Sequence, residues 1–358
     1  MRVHNYYPGP GSLPLEALEQ AQNELLDFQG TGMSLLETSH RAASYDEVHN
    51  ESIALVREML KLPENYHVMW LQAGATMQFA MIPMNLIGNG GSADYVMTGF
   101  WSERAFSEAK IVGKPRIAGS SQDKGYAYVP KQLELDPDAQ YVHVTSNNTI
   151  YGAQFFDYPE TNGVPLVCDM SSDIFWRFFD VKPFGIVYAG AHKNLGPAGA
   201  TLVIMRDDIL QKCRKDLPSM LDYNVHVKNN SLFNTPPTFT IYMVRNVLRW
   251  IKGLGGPQEM ERINRAKAET FYKFIDSTDG FYNCSVANED RSVMNAVFEM
   301  QSDELEKRFV QQANADGFIG LGGRAPRWHL RMTMYNAISL KSVQELVEFM
   351  GEFMRTNG

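Results

Sequence analysis

Cysteine is scarce. The 358 residues hold three, Cys168, Cys213 and Cys284, widely separated and odd in number. They fit neither a disulfide framework nor the paired spacing of a zinc site. Positive charge is in deficit as well, because 33 Lys and Arg face 41 Asp and Glu for a formal net charge of −8. This balance argues against nucleic acid or an anionic membrane surface as the main partner. A membrane span needs a run of about 20 apolar residues. The stretch Asn65–Ala93 contains no Asp, Glu, Lys or Arg, but Gln72, Gln78, Pro83, Asn85 and several glycines interrupt it. No apolar segment follows Arg2, so no signal peptide is expected and a soluble, cytoplasmic protein is the default. Internal repeats, long linkers and low-complexity tracts are missing too. What remains is a globular composition, 44% hydrophobic and 21% charged, able to bury a sizeable core in about two domains.

The start of the chain, Tyr7-Pro8-Gly9-Pro10-Gly11-Ser12-Leu13-Pro14, is too rich in Pro and Gly for regular structure. Leu15, Leu18, Ala21, Leu25 and Phe28 then recur at near-helical spacing. Ser44 is placed to cap a second helix that carries Val48, Ile53, Val56 and Leu60 and stops before Pro63. A buried strand at Val68–Leu71 leads through Ala73-Gly74-Ala75-Thr76 into a helix from about Met77 to Leu86. Short apolar strands follow at Ala93–Met97, Tyr141–Thr145, Pro165–Asp169, Gly185–Ala189 and Thr201–Met205. Such alternation predicts an α/β fold, with a largely parallel sheet covered on both faces. After Leu254-Gly255-Gly256-Pro257 the pattern changes to a helix (Gln258–Ile275), a strand (Ser292–Glu299), a helix (Asp303–Ala315), a basic segment (Arg324–Arg331) and a last helix (Ser342–Met354). The expected division is a large domain, 15–257, and a smaller α+β domain formed by 1–14 and 258–358.

Two strand ends carry the chemistry. One buried strand finishes in Cys168-Asp169, and another runs through Gly190-Ala191-His192 to Lys193. Ligands of open parallel sheets collect at the carboxyl ends of strands, so Asp169 and Lys193 should open into one crevice. A structural ion pair is the plain alternative. However, small residues surround the lysine in Gly190-Ala191-His192-Lys193-Asn194-Leu195-Gly196, leaving room for close approach. A lysine is the nucleophile for an aldehyde cofactor, and an Asp is the usual partner of a pyridinium nitrogen. Gly74-Ala75-Thr76 sits between a strand and a helix, where free amides favour a phosphate. Together these features point to pyridoxal 5′-phosphate (PLP).

Eight ordered motifs then make the chain resemble the phosphoserine aminotransferases, within the class V, fold-type I PLP enzymes. They are Asn5-Tyr6-Tyr7-Pro8-Gly9-Pro10, Ser39-His40-Arg41, Thr98-Gly99-Phe100-Trp101-Ser102 and Asn147-Asn148-Thr149-Ile150-Tyr151-Gly152, followed by Asp169-Met170-Ser171-Ser172, the stretch Tyr188–Gly199 around Lys193, Phe233–Thr238 and Tyr335-Asn336-Ala337. The resemblance implies transamination between O-phospho-L-serine and 2-oxoglutarate, in serine biosynthesis. It implies that Lys193 bonds the cofactor aldehyde and then moves the substrate's α-proton, while Asp169 keeps the ring nitrogen protonated. Trp101 would stack on the ring and Thr149 would bond near its 3′-oxygen. Ala75, Thr76 and His192 would hold the cofactor phosphate. Asn234 and Thr235 would reach it from the other subunit of a homodimer with shared active sites. His40 and Arg41 would face the substrate phosphate, and Arg331 would clamp the α-carboxylate.

The departures from the family pattern fall at the site. The cradle reads Ala73-Gly74-Ala75-Thr76, where the family commonly has three glycines, and His192 replaces a glutamine. The imidazole can still donate a hydrogen bond, with a charge expected to depend on pH. Near the C-terminus the family's Gly-His-Arg-x-x-Gly-Gly-x-Arg becomes Gly323-Arg324-Ala325-Pro326-Arg327-Trp328-His329-Leu330-Arg331, with Arg324 as the candidate family arginine. An aminotransferase of another small acidic amino acid is therefore the alternative reading. A cysteine-dependent lyase or desulfurase would need a mobile thiol, which Cys168, inside a strand, cannot supply. A non-catalytic binding protein would be expected to lack Lys193 or Asp169.

Overall fold

The computed structural model describes residues 2–323 and 329–358. Strand β1 (His4–Asn5) is followed by helices α1 (Leu15–Glu24) and α2 (Ala43–Met59), strand β2 (Tyr66–Gln72), α3 (Ala75–Leu86), β3 (Ser92–Met97), α4 (Phe100–Val112) and β4 (Lys114–Ser120). Four strands come next: β5 (Val142–Thr145), β6 (Leu166–Asp169), β7 (Phe184–Gly190) and β8 (Ala200–Arg206). Helices α5 (Asp207–Lys212), α6 (Tyr223–Lys228), α7 (Thr238–Gly253) and α8 (Pro257–Asp276) lead into the last part of the chain. That part holds β9 (Tyr282–Asn283), β10 (Asn295–Met300), α9 (Asp303–Ala315), β11 (Phe318–Ile319), β12 (Leu330–Thr333) and α10 (Leu340–Asn357).

Seven strands form the main sheet in the order β2-β8-β7-β6-β5-β3-β4. β8 runs antiparallel to both its neighbours, and the other pairings are parallel. The reason these strands read as unbroken apolar runs is visible in β2. Val68 and Trp70 enter the core under α2 and α7, while Met69 and Leu71 enter the core under α3 and α4. A sheet covered on both faces buries both sets of alternating side chains. β4 breaks the rule, since Lys114, Arg116 and Ile117 are exposed at the sheet edge. The sequence pattern therefore does not reveal it, because an edge strand carries charge rather than an apolar run.

Several helix boundaries differ from expectation, with α3 starting at Ala75 rather than about Met77 and α10 spanning Leu340–Asn357 rather than Ser342–Met354. Helix α2 begins at Ala43 with Ala42 as its cap residue, and Ser44 lies in the first turn without capping it. Helix α1 ends at Glu24, and Phe28 is buried from the turn that follows.

A further core unites both ends of the chain. β12, β10 and β9 form an antiparallel sheet backed by α8, α9 and α10, and β1 pairs with β11 in parallel. Tyr6 is fully buried there and its hydroxyl donates to the Ser342 carbonyl at 2.8 Å. The chain then runs to the main sheet's carboxyl edge, where the Tyr335 hydroxyl donates to Pro8 O (2.8 Å) and the Gly11 amide donates to His192 O (2.8 Å). This seam between the two sheets is where the candidate site lies.

Candidate active site

Parallel strands β5, β6 and β7 end side by side. Thr145 pairs with Asp169, and Asp169 pairs with Tyr188, two residues before the end of β7. The chain leaving β7 turns back immediately and carries Lys193 over this edge. Lys193 is only 8% exposed. Its Nζ donates to Thr149 Oγ1 at 2.9 Å and lies 5.5 Å from the centre of the Trp101 ring. Burial disfavours the ammonium and pulls the Lys193 pKa down to about 8, with Asp169 and Asp173 resisting and the Arg331 charge adding to the fall. Near neutrality the amine is thus far closer to its nucleophilic form than an exposed lysine is.

Asp169 is buried, which raises its pKa, while Lys193 and the Ser171 amide hold it down. That amide donates to Asp169 Oδ1 at 2.9 Å. A second carboxylate, which the sequence did not bring to notice, lies one turn further on. Asp173 is 2% exposed and accepts hydrogen bonds from the Ser146 hydroxyl and, at 3.0 Å, from Gln154 Nε2. Burial pushes it up to about 7, so it is partly protonated near neutral pH. The only hint available was its place four residues after Asp169 in a segment with few charges.

The phosphate cradle is built by backbone. Gly74 precedes α3, and Ala75 and Thr76 occupy its first turn, whose amides the helix leaves without acceptors. Ala73 adopts φ +73°, a left-handed conformation uncommon for a residue with a Cβ, and its carbonyl accepts from the Thr201 hydroxyl at 2.9 Å. Gly190 is glycine for a reason, since a Cβ there would lie 3.2 Å from His192 Cε1 and 3.4 Å from the Ala75 nitrogen. On the other side of the imidazole, a Cβ at Gly9 would stand 2.9 Å from His192 Cδ2. His192 is thus packed between two glycines. Its burial, assisted by the Lys193 charge, lowers its pKa to about 4. This low pKa moves the pH-dependent charge expected of His192 to acid pH, and the neutral ring can still donate one hydrogen bond.

A cavity of about 270 Å³ opens over Lys193 and is lined by Trp101, Thr149, His192, His329 and Arg331 among others. Thr149 ties it together, since its hydroxyl accepts from Lys193 and its carbonyl accepts from Arg331 Nη1 at 2.9 Å. A cofactor of the expected shape fits these residues on structural grounds. The Trp101 indole nitrogen, on a residue that lines the cavity, and the Thr98 hydroxyl, three residues earlier, are buried with no hydrogen-bond partner among the described residues. Unsatisfied polar atoms of this kind at a cavity are suited to a polar ligand.

Other expected residues lie apart from this group. Asn234 is half-buried and Thr235 exposed in the loop before α7, and the Thr235 carbonyl accepts from Gln72 Nε2, next to the cradle. His40 is half-buried and Arg41 exposed in the turn before α2, and neither lines the cavity. Arg324, with Arg327 and Trp328, lies outside the described residues. Cys168 is fully buried and its thiol is pushed well above the usual range, chiefly by burial, so it offers no mobile nucleophile. A larger cavity of about 520 Å³ near Asp303, Lys307 and Val310 meets this one at Gly323 but is not lined by Lys193 or Trp101.

Sheet order, strand-end lysine and backbone cradle together define the class V aminotransferase architecture, and the model of that family, "Aminotransferase class-V", matches residues 3–318. The chain is 49% identical to the phosphoserine aminotransferase of Lysinibacillus sphaericus, over 99% of this chain and 98% of that protein. The crystal structure of phosphoserine aminotransferase from Bacillus circulans subsp. alkalophilus superposes with a TM-score of 0.98 at 49% identity, covering 100% of this chain and 99% of that one. A PLP-bound phosphoserine aminotransferase from Trichomonas vaginalis gives a TM-score of 0.93 at 33% identity, covering 98% of this chain and 100% of that one. The chain belongs to the phosphoserine aminotransferase family.

Proposed function

We propose that the protein is a PLP-dependent aminotransferase that exchanges the amino group between O-phospho-L-serine and 2-oxoglutarate, forming 3-phosphohydroxypyruvate and L-glutamate in serine biosynthesis. The observation that carries the reading is the buried Lys193 amine, drawn down to about 8 and held by Thr149 beside the Trp101 ring, with a carboxylate at the neighbouring strand end. Near 49% identity along the whole chain to proteins named for phosphoserine favours that substrate over another small acidic amino acid.

When bound, PLP supplies an electron sink that weakens the bonds to the substrate's α-carbon. The chain does the rest. Lys193 Nζ would anchor the cofactor aldehyde and, as a free amine, would serve as the base that moves the substrate's α-proton. Thr149 Oγ1 holds the amine in position between these steps. Asp169 keeps a negative charge where the ring nitrogen must stay protonated. The Ala75 and Thr76 amides and His192 would hold the phosphate, and the Trp101 face would pack on the ring. Arg331 receives the α-carboxylate, for which its two-pronged geometry is suited. Residues 15–257 serve as the cofactor-binding unit, and 1–14 with 258–358 serve as the smaller one. Asn234, Thr235, His40, Arg41 and Arg324 complete the site of the partner subunit in a cytoplasmic homodimer. That His40 and Arg41 do not line the chain's own cavity supports the assignment for these two residues. Among the described residues no helix is long and apolar enough to cross a membrane.

The test is product formation by purified holoenzyme supplied with O-phospho-L-serine and 2-oxoglutarate. Glutamate should appear only when both are present and should be much reduced when L-serine or L-alanine replaces phosphoserine. Equal rates with alanine would overturn the substrate assignment.

A further inference from the structure

Arg331, on β12, is not the only residue of this segment that lines the cavity over Lys193, since His329 lies just before the strand. Along this strand Leu330 and Met332 enter the core, so residues of the opposite parity share the other face. Thr333, at the inner end, accepts from Asn295 Nδ2 at 3.2 Å, and Arg331 bonds the Thr149 carbonyl. His329 is next in this series and lines the same cavity as Lys193 and Arg331. The β10–β12 register pairs Arg331 with Val297, and its continuation sets His329 opposite Glu299. The contact is made there, with His329 Nδ1 3.3 Å from Glu299 Oε2. The other oxygen of Glu299 accepts from Asn283 Nδ2 at 2.9 Å, so the carboxylate is anchored from β9 while it steadies the imidazole.

A His–Glu contact with both side chains about a third exposed contributes little to stability. What the arrangement does accomplish is to engage Nδ1–H with the Glu299 carboxylate, so that a ring protonated on both nitrogens keeps Nε2–H free to donate to an anionic ligand. Two positions apart on one strand face means about 7 Å between Cα atoms, comparable to the separation of the two acidic groups of a short acidic amino acid. Arg331 holds one end.

We propose that His329 is a substrate-specificity residue, contacting the distal anionic group of an amino acid whose α-carboxylate lies on Arg331, with Glu299 as its positioning residue. The proposal rests on the aminotransferase reading above and adds to it a contact from the chain's own subunit. It concerns amino acids carrying a second anionic group, phosphate or carboxylate.

The experiment compares holoenzyme with His329→Ala, His329→Gln and Glu299→Gln. In each, the near-visible cofactor band is titrated with O-phospho-L-serine, L-glutamate and L-alanine in the absence of keto acid. Loss of a charge-assisted hydrogen bond should raise the half-conversion concentration for the two acidic amino acids about tenfold in His329→Ala. The response to alanine should stay within about twofold. His329→Gln, which retains a donor, should recover part of the loss, and Glu299→Gln should show a smaller loss with the same selectivity. Unchanged titrations with both acidic amino acids would overturn the proposal, as would an equal loss for alanine. A wild-type enzyme that ignores phosphoserine but responds to glutamate would defeat the substrate assignment made above, while the glutamate titrations of the variants would still decide the role of His329.

Discussion

At the scale of single residues, the site depends on how burial and neighbouring charge tune a few groups. Lys193 should capture PLP fastest as its neutral amine. The rate of cofactor uptake by apoenzyme should therefore rise through pH about 8, well below the range of an exposed lysine. A rise centred near pH 10 would contradict the burial argument. Replacement of Lys193 by Ala should abolish both turnover and the near-visible band of the lysine-bound cofactor. Asp169→Ala should cost activity by about 10²-fold or more, because the ring nitrogen loses the charge that keeps it protonated. Gly190→Ala tests the cradle more finely, since the added methyl would press on His192 and the Ala75 amide. It should weaken cofactor binding about tenfold and leave the thermal midpoint nearly unchanged, as judged by titration of apoenzyme with PLP. Preserved affinity would show that the close approach of these two loops is not needed.

At the scale of elements, the seam between the two sheets is held by a buried lysine amine. Lys267, on α8, is fully buried and donates to the Met334 and Tyr335 carbonyls at 2.9 Å each, while Asn264 one turn earlier bonds Asn336 and the Trp176 carbonyl. Asn336 in turn binds Asn194, next to Lys193. Burial lowers the Lys267 pKa to about 7. The unfolded chain therefore holds the proton more tightly than the folded one, and this group's contribution to stability rises as pH increases from about 7 toward 10. Lys267→Met should flatten that slope in denaturant melts taken across the range. An unaltered slope would mean that Lys267 is not the titrating group.

The same scale shows what the sequence reveals and what it hides. Strands β2, β3 and β5 to β8 are legible because a sheet buried on both faces demands continuous apolar runs, and α9 begins and ends at the expected residues because Ser302 caps a strongly patterned helix. The edge strand β4 is hidden by its charge, and the two-residue pairing of β1 with β11 is too short to leave a pattern. Around the site, Lys193 and Asp169 are legible because strand ends and small residues announce them. Asp173 is not, since its character comes from burial by Ser146 and Gln154, which are distant in sequence. His329 looked like one member of a basic run until β10 placed Glu299 against it.

At the scale of the whole molecule, the chain's own cavity is lined by Trp101, Thr149, His192, Lys193 and Arg331 but not by His40 or Arg41. A homodimer with shared sites makes a quantitative prediction. Lys193→Ala and Arg41→Ala homodimers should each be nearly inactive. Mixed by denaturation and refolding, they should regain about a quarter of wild-type activity, because half of the dimers are mixed and one site in each is intact under two-fold symmetry. No recovery from verified mixed dimers would assign Arg41 to its own subunit's site or to none.

The central claim is that the Lys193 cavity accepts an amino group from O-phospho-L-serine. A spectral titration of holoenzyme with that compound alone, without keto acid, tests it most directly. The near-visible band should be lost and replaced by the shorter-wavelength band of the aminated cofactor, and 2-oxoglutarate should then restore the original spectrum with release of glutamate. A normal starting band that is unmoved by phosphoserine, yet shifts with a different acidic amino acid, would contradict the claim.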